Sequence, residues 1–336
     1  MTIPALSGKL LIGALALSLP FTVARADVQR FRYELDIRSG DPMYAAPLPA
    51  DGTPSGPWFV VERDSAGRIV RSDSMRDGVK EGEVLYHYTG DAATFDSTED
   101  YTGTEHTGTE RFQRNDKGYV TRTDSFTVGG TTTSYSVRTY GDGSVDDVSF
   151  TPDGKEKNRY VMTYSDDGIL VSYRRIVGNA YYEYLMDTST GKAKSRKKVE
   201  NGALVLNSVY AYDENGEMLR EDASDDKGVW FASIEYNKGL LTRKNYKFAD
   251  GSRKEINITF DDKRQAKEAR LTINDKLICT FTYDRLPDGT VKRTLALGPG
   301  GDLWAEYPDR MVNEVGPDGQ ALNRTDGIIH HAGNWW

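Results

Sequence analysis

Along much of this chain apolar and polar side chains alternate one by one. Ile256, Ile258 and Phe260 fall on one strand face, and Asn257 and Thr259 fall on the other. Tyr182, Tyr184 and Met186 likewise stand opposite Glu183 and Leu185. A period of two is the mark of a half-buried antiparallel strand, whose side chains point to opposite faces in turn. Turn-forming glycines punctuate the alternation at Gly118, Gly143, Gly154, Gly168, Gly191, Gly202, Gly216, Gly228, Gly239, Gly251 and Gly289. Most neighbours lie 11 to 14 residues apart, room for one short strand and one tight turn. Short strands at that spacing predict an all-β fold.

Every second turn looks alike: an apolar residue, a variable one, an aromatic, the turn, then another apolar residue. Tyr210-Ala211-Tyr212-Asp213-Glu214-Asn215-Gly216 is the clearest copy, and Ile234-Glu235-Tyr236-Asn237-Lys238-Gly239 is another. The aromatics that anchor the pattern are Tyr140, Tyr164, Tyr212, Tyr236, Phe260, Tyr283 and Tyr307, at separations of 24, 48, 24, 24, 23 and 24. A degenerate copy around Tyr182, Tyr184 and Gly191 fills the double gap. So constant a period marks a repeat architecture in which each unit is one β-hairpin. One face of each hairpin reads as aromatic and aliphatic and the other as charged and hydroxylated. A sheet with one apolar face must roll up, gain a second layer or split into blades. The expectation is therefore a long antiparallel meander of hairpins, rolled or two-layered, with a β-propeller as the alternative.

The phrase Tyr210-Ala211-Tyr212-Asp213-Glu214-Asn215-Gly216-Glu217-Met218 resembles the YD repeats of bacterial Rhs-type proteins, with the best copies between about residues 136 and 290. Proteins of that type build a β shell around a toxin or present repeats at the cell surface. The resemblance thus implies a β-repeat fold and an extracytoplasmic setting. This chain is short for a shell, and no separate toxin domain is legible in it.

Composition adds a destination. Met1 to Lys9 carries one positive charge, Leu10 to Val23 is almost wholly apolar, and Ala24-Arg25-Ala26 offers a small-x-small exit before Asp27. These features predict a secretory signal peptide over 1–26, its apolar run too short for a membrane span. Residues 27–336 are then expected to form a single β-repeat domain, with irregular segments near 41–58 and 89–110 and in the tail after 298. The only cysteine, Cys279, sits on a strand face with Phe281 and Tyr283. It reads as a buried small hydrophobe rather than a reactive thiol, and it rules out an internal disulfide. Removal of 1–26 takes Lys9 and Arg25 and no acid, leaving 41 basic against 51 acidic side chains. Such a balance argues against nucleic acid as a partner. The basic stretches at Lys192–Lys198 and Lys244–Lys254 read as solvated strand faces.

Candidate chemistry is sparse. His87 should face away from Tyr86 and Tyr88, His106 lies in the Thr-Gly-rich segment, and His330-His331 lie near the end. None has the spacing of a metal site, so no metal or cofactor is implied. There is no nucleophile elbow and no phosphate loop. The acid doublets Asp146-Asp147, Asp166-Asp167, Asp225-Asp226 and Asp261-Asp262 read as turn chemistry, because neighbours on a strand cannot form a glycosidase dyad. Trp58, Trp230 and Trp304 lie in or beside strands, and Trp335-Trp336 end the sequence as a candidate docking feature. The reading is an exported, non-enzymatic binding or scaffold module, periplasmic or extracellular, for a protein or polysaccharide partner. Two alternatives are an outer-membrane β-barrel and a hydrolase acting on envelope polysaccharide.

Overall fold

The computed structural model describes residues 27–287 and 290–300. They form 22 strands and no helix. The first eight are β1 (Asp27–Asp36), β2 (Pro42–Pro47), β3 (Pro57–Arg63), β4 (Ile69–Arg76), β5 (Val79–His87), β6 (Ser97–Thr102), β7 (Glu105–Arg114) and β8 (Val120–Phe126). Then come β9 (Thr132–Tyr140), β10 (Ser144–Phe150), β11 (Glu156–Tyr164), β12 (Leu170–Val177), β13 (Ala180–Met186), β14 (Ala193–Glu200) and β15 (Ala203–Tyr212). The last are β16 (Met218–Ser224), β17 (Trp230–Asn237), β18 (Leu240–Lys247), β19 (Arg253–Phe260), β20 (Ala266–Ile273), β21 (Lys276–Arg285) and β22 (Val291–Leu297). No helix among the described residues is long and apolar enough to cross a membrane.

All pairings are antiparallel, and from β3 onward each strand pairs with the next, while β1 lies between β2 and β3. The result is one open meander with β2 and β22 as its edges. The ladder is continuous, so the propeller alternative does not hold, and the two edges do not pair, so the sheet is no closed barrel. The segment 89–110, expected to be irregular, contains β6 and the start of β7. The first of its two Thr-Gly-Thr-Glu phrases is the turn at Gly103, with Thr102 opposite Glu105, and the second lies on β7, where Gly108 is an ordinary strand residue opposite Asp100. The segment 41–58 likewise contains β2 and the start of β3. The tail after 300 lies outside the described residues.

The repeat has a physical cause visible at the end of most odd strands. From β9 on, odd strands begin at Thr132, Glu156, Ala180, Ala203, Trp230, Arg253 and Lys276. The register shifts by one residue just before Tyr164, Met186, Tyr212, Tyr236 and Phe260. Arg63 and Arg114 hold the same place in earlier copies. These are β-bulges whose extra residue lies near the start of the next even strand (Val171, Lys194, Leu219, Thr242 and Lys267), bending the pair and re-aiming the last side chain of the odd strand. The re-aimed residue then faces an apolar partner beyond the turn: Leu170 for Tyr164, Met218 for Tyr212, Leu241 for Tyr236 and Ala266 for Phe260. The Asp of the YD phrase caps the turn. Asp213 Oδ1 accepts from the amides of Asn215 at 2.9 Å and Glu217 at 2.8 Å, and Asp64, Asn115 and Asp261 do the same in their own turns.

The sheet curls until its first strand crosses one rim. Alternate turns of a meander share a rim, and those after β7, β9, β11, β13 and β15 descend along β1 in order. Asp41 accepts from Arg114 at 2.8 Å and Ser39 O from the Val120 amide at 2.9 Å. Arg38 bonds Gly141 O through its guanidinium and Gly168 O through its amide, and Ile37 bridges Ile169. Gly191 packs on Glu34 and Leu35, and Gly216 on Tyr33, so closely that an added Cβ would lie 2.7 Å from Glu34 O and 2.9 Å from the Tyr33 ring. The β1–β2 hairpin therefore stops one end of the curl.

Candidate functional site

The two halves of the inner face differ. In the C-terminal half, cross-strand rows read Ile256, Leu271, Cys279 and Ile258, Ala269, Phe281. These residues belong to a dry core with Ile234, Leu241 and Ile278. In the N-terminal half, the rows read Thr98, Glu110, Ser125, Ser134 and Phe112, Thr123, Ser136, Ser149. Those short polar side chains cannot fill the curl. A cavity of about 750 Å³ remains between the plugging hairpin and the wall built by β5 to β10, β12 and β13. The sequence reading assigned aromatic and aliphatic residues to the whole inner face. For this half that is corrected: the hydroxyls and acids of the alternation point inward here.

Five acids line the cavity, Glu34, Asp36, Asp41, Asp100 and Glu110, against one base, Arg138. Arg138 is bonded to Asp147 at 2.8 Å, and Asp41 to Arg114 at 2.8 Å. Four carboxyls are thus left without a basic hydrogen-bond partner among the described residues. Glu34 has Tyr44 Oη at 3.5 Å, Asp36 has Tyr164 Oη at 3.5 Å, and Glu110 has Ser125 Oγ at 3.2 Å. Burial pushes all four above the ordinary carboxyl range. The charge of Asp100 pushes Glu110 further, and Arg138 pulls Asp36 and Glu110 back. Glu34 and Asp36 keep open surface toward the cavity, so water there tempers the effect. Beside them Tyr44 bonds Ser72 at 2.7 Å and meets Tyr86 at 3.4 Å. Burial raises the Tyr44 hydroxyl to about 12, so it remains a proton donor.

The anchoring aromatics stand outside this chemistry, except that Tyr164 reaches Asp36 and Tyr140 meets Arg138. The Tyr140 hydroxyl donates to Val120 O at 2.6 Å and that of Tyr212 to Ala193 O at 2.9 Å. Tyr236 and Phe260 pack on the C-terminal core, and Tyr283 lies within it. Tyr307, Trp304, Trp335-Trp336 and His330-His331 lie outside the described residues. His87 does face away from Tyr86, with Nε2 3.3 Å from Glu99. His106 sits on β7, not in a loop, stacked on Tyr101 and bonded to Gly108 O at 2.8 Å. Cys279 is buried beside Phe281, and burial pushes its thiol up to about 11. Trp58 is buried, whereas Trp230 is exposed at the start of β17. Among the described residues no cluster of acids, histidines and cysteines has the geometry to hold a metal ion.

Two sequence readings are corrected here. Asp146-Asp147 is not in a turn but in the middle of β10, with Asp147 paired to Arg138 and Asp146 beside Arg159 at 3.6 Å. The basic stretches are not wholly solvated. Arg196, Lys198, Lys244 and Lys254 are buried, because alternation turns every second side chain inward. Arg196 meets Glu221 at 2.7 Å with both side chains shut off from solvent, and Lys198 and Lys254 lie over the rings of Tyr182 and Tyr246.

The chain matches no family model and no curated protein. Among solved structures it is similar to one titled "TcdB2-TccC3-Cdc42", at 12% identity and a TM-score of 0.27, covering 82% of this chain and 17% of that one. A porin-like protein from Bacteroides uniformis aligns at 11% identity and a TM-score of 0.21 over 80% of this chain and 93% of that one. A TarM variant of S. aureus aligns at 10% identity and 0.20 over 35% and 20%. At these scores the likeness carries no argument about function.

Proposed function

We propose that the chain is exported and serves as a non-enzymatic binding or scaffold module for a macromolecular partner in the cell envelope or outside the cell. The observation that carries the reading is the cavity, roomy enough for a ligand segment and lined by carboxyls, hydroxyls and rings. Among the described residues its acids hydrogen-bond no histidine: His87 lies beside Glu99, and His106, bonded to Gly108 O, acts on Asp100 only through its charge. The export signal over 1–26 supplies the setting. The test is capture of envelope proteins and glycans on tagged Asp27–Trp336, identification by mass spectrometry, and titration of the purified candidate. One saturable partner supports the proposal. A folded, soluble bait that captures nothing refutes a stable complex as its role.

A second reading, a hydrolase acting on envelope polysaccharide, draws on Asp100 and Glu110. They lie on adjacent strands, face one cavity and are both raised above the ordinary carboxyl range, as an acid catalyst must be. Release of soluble sugar from envelope polymer by the wild type, absent in Glu110→Gln, would favour it over binding alone.

A further inference from the structure

Beyond its acids, the cavity holds polar groups that have no hydrogen-bond partner among the described residues. Thr98 is 5% exposed and lines the cavity. Its hydroxyl meets no hydrogen-bond partner among the described residues, nor do those of Thr123, Ser134 and Ser136 or the carboxyl of Asp100. These groups are half-buried or open to the cavity, so the wall presents free acceptors to anything inside it that brings hydrogen-bond donors. The unpaired charge is of one sign. Four carboxyls face inward while the nearby guanidiniums of Arg138 and Arg114 are already taken by Asp147 and Asp41.

We propose that the cavity binds a flexible organic polycation, an aliphatic chain bearing two or more protonated amines. This rests on the cavity being the binding site argued above and names the chemistry of its ligand. Each ammonium is a donor without an acceptor, matching carboxylates and hydroxyls that offer acceptors. The methylenes between ammoniums suit the rings of Tyr86, Phe112 and Tyr173 on the same wall, which also favour a cation over their faces. A bare metal ion does not fit, because the acids are spread along the wall and do not converge on one point. A neutral sugar would leave the carboxyl surplus uncompensated. The amines can come from a free polyamine or from lysines of a partner segment.

Calorimetric titration of Asp27–Trp336 with spermine, with tetralysine and with a neutral tetrasaccharide tests this. Saturable binding of either amine, weakened by salt and by about tenfold or more in Asp100→Asn or Glu110→Gln, is the expected result. Spermine binding assigns a free polyamine, and binding of tetralysine alone assigns a partner segment. Both variants relieve like-charge crowding and should melt no lower than the wild type, so lost binding reports the site. Glu214→Gln, in an exposed turn, should bind as the wild type does. The proposal is overturned if neither amine binds, if the tetrasaccharide binds instead, or if Glu214→Gln weakens binding as much as the cavity variants. Capture of an envelope partner by a protein that binds no amine would sink this inference and leave the broader reading standing.

Discussion

The Arg196–Glu221 pair shows what single side chains contribute in this protein. It bridges β14 and β16 across β15, where Arg196 also lies 3.4 Å from Ser208. Burial pushes the Glu221 carboxyl up, and the Arg196 charge opposes that. Removing one partner strands the other without solvent, so Arg196→Met should lower unfolding free energy by about 3–5 kcal/mol. The double variant Arg196→Met, Glu221→Leu should recover most of that, because a well-packed apolar pair avoids the desolvation of two ions. Urea unfolding of the two variants checks it: equal losses would mean that the charge left behind is not what destabilises. The Cys279 thiol, buried and held up at about 11, should resist a thiol reagent in the folded protein and react once urea unfolds it. Rapid labelling under native conditions would place it at the surface.

At the scale of the element, the working unit is the bulge, the re-aimed aromatic and the capped turn. Tyr212→Phe keeps the ring and loses the bond to Ala193 O, an expected loss of about 1 kcal/mol. Glycine separates two demands on the turns. Gly202 has φ +80° with open space around it, so alanine there bears only the cost of the left-handed conformation, about 1–2 kcal/mol. Gly216, at φ +78° under the Tyr33 ring, bears that cost and a clash with β1. Thermal unfolding should therefore rank Gly216→Ala below Gly202→Ala, and equal melting points would argue against the docking of β1 on this rim. The repeat was readable because its anchors are large and evenly spaced. The bulge behind it was not, since a bulge is an extra residue in a ladder and has no composition of its own. The copies before residue 132 escaped notice because Arg63 and Arg114 replace the aromatic anchor.

At the scale of the molecule, the all-β meander was legible and its polar half was not. Thr123, Ser125, Ser134 and Ser136 alternate as strictly as Ile256 and Ile258 do. On β9, however, the opposite face carries Tyr135 and Val137, so alternation alone would turn the wrong side inward. Only the curl, set by contacts between the β1–β2 hairpin and turns 73 or more residues away, decides it. The curl also predicts a pH dependence. Glu34, Asp36, Asp100 and Glu110 bind protons more tightly folded than unfolded. Stability should therefore rise as pH falls from neutral through their raised values toward the ordinary carboxyl range. Further acid should lower it, as Asp187, held at about 2, and Asp64 and Asp250 lose the bonds their ionised forms accept. Melting points across mildly acidic pH should pass through a maximum that flattens in the variant Asp100→Asn, Glu110→Gln. A steady fall from neutral pH would mean these carboxyls are freely solvated.

The central claim is that the cavity, not the outer face of the sheet, is the working surface. Its most direct test is envelope capture with the wild type and the variant Asp100→Asn, Glu110→Gln side by side, both shown to be folded. The account predicts a partner held by the wild type and lost from the variant. Equal capture by both would place the interaction outside the cavity and contradict it.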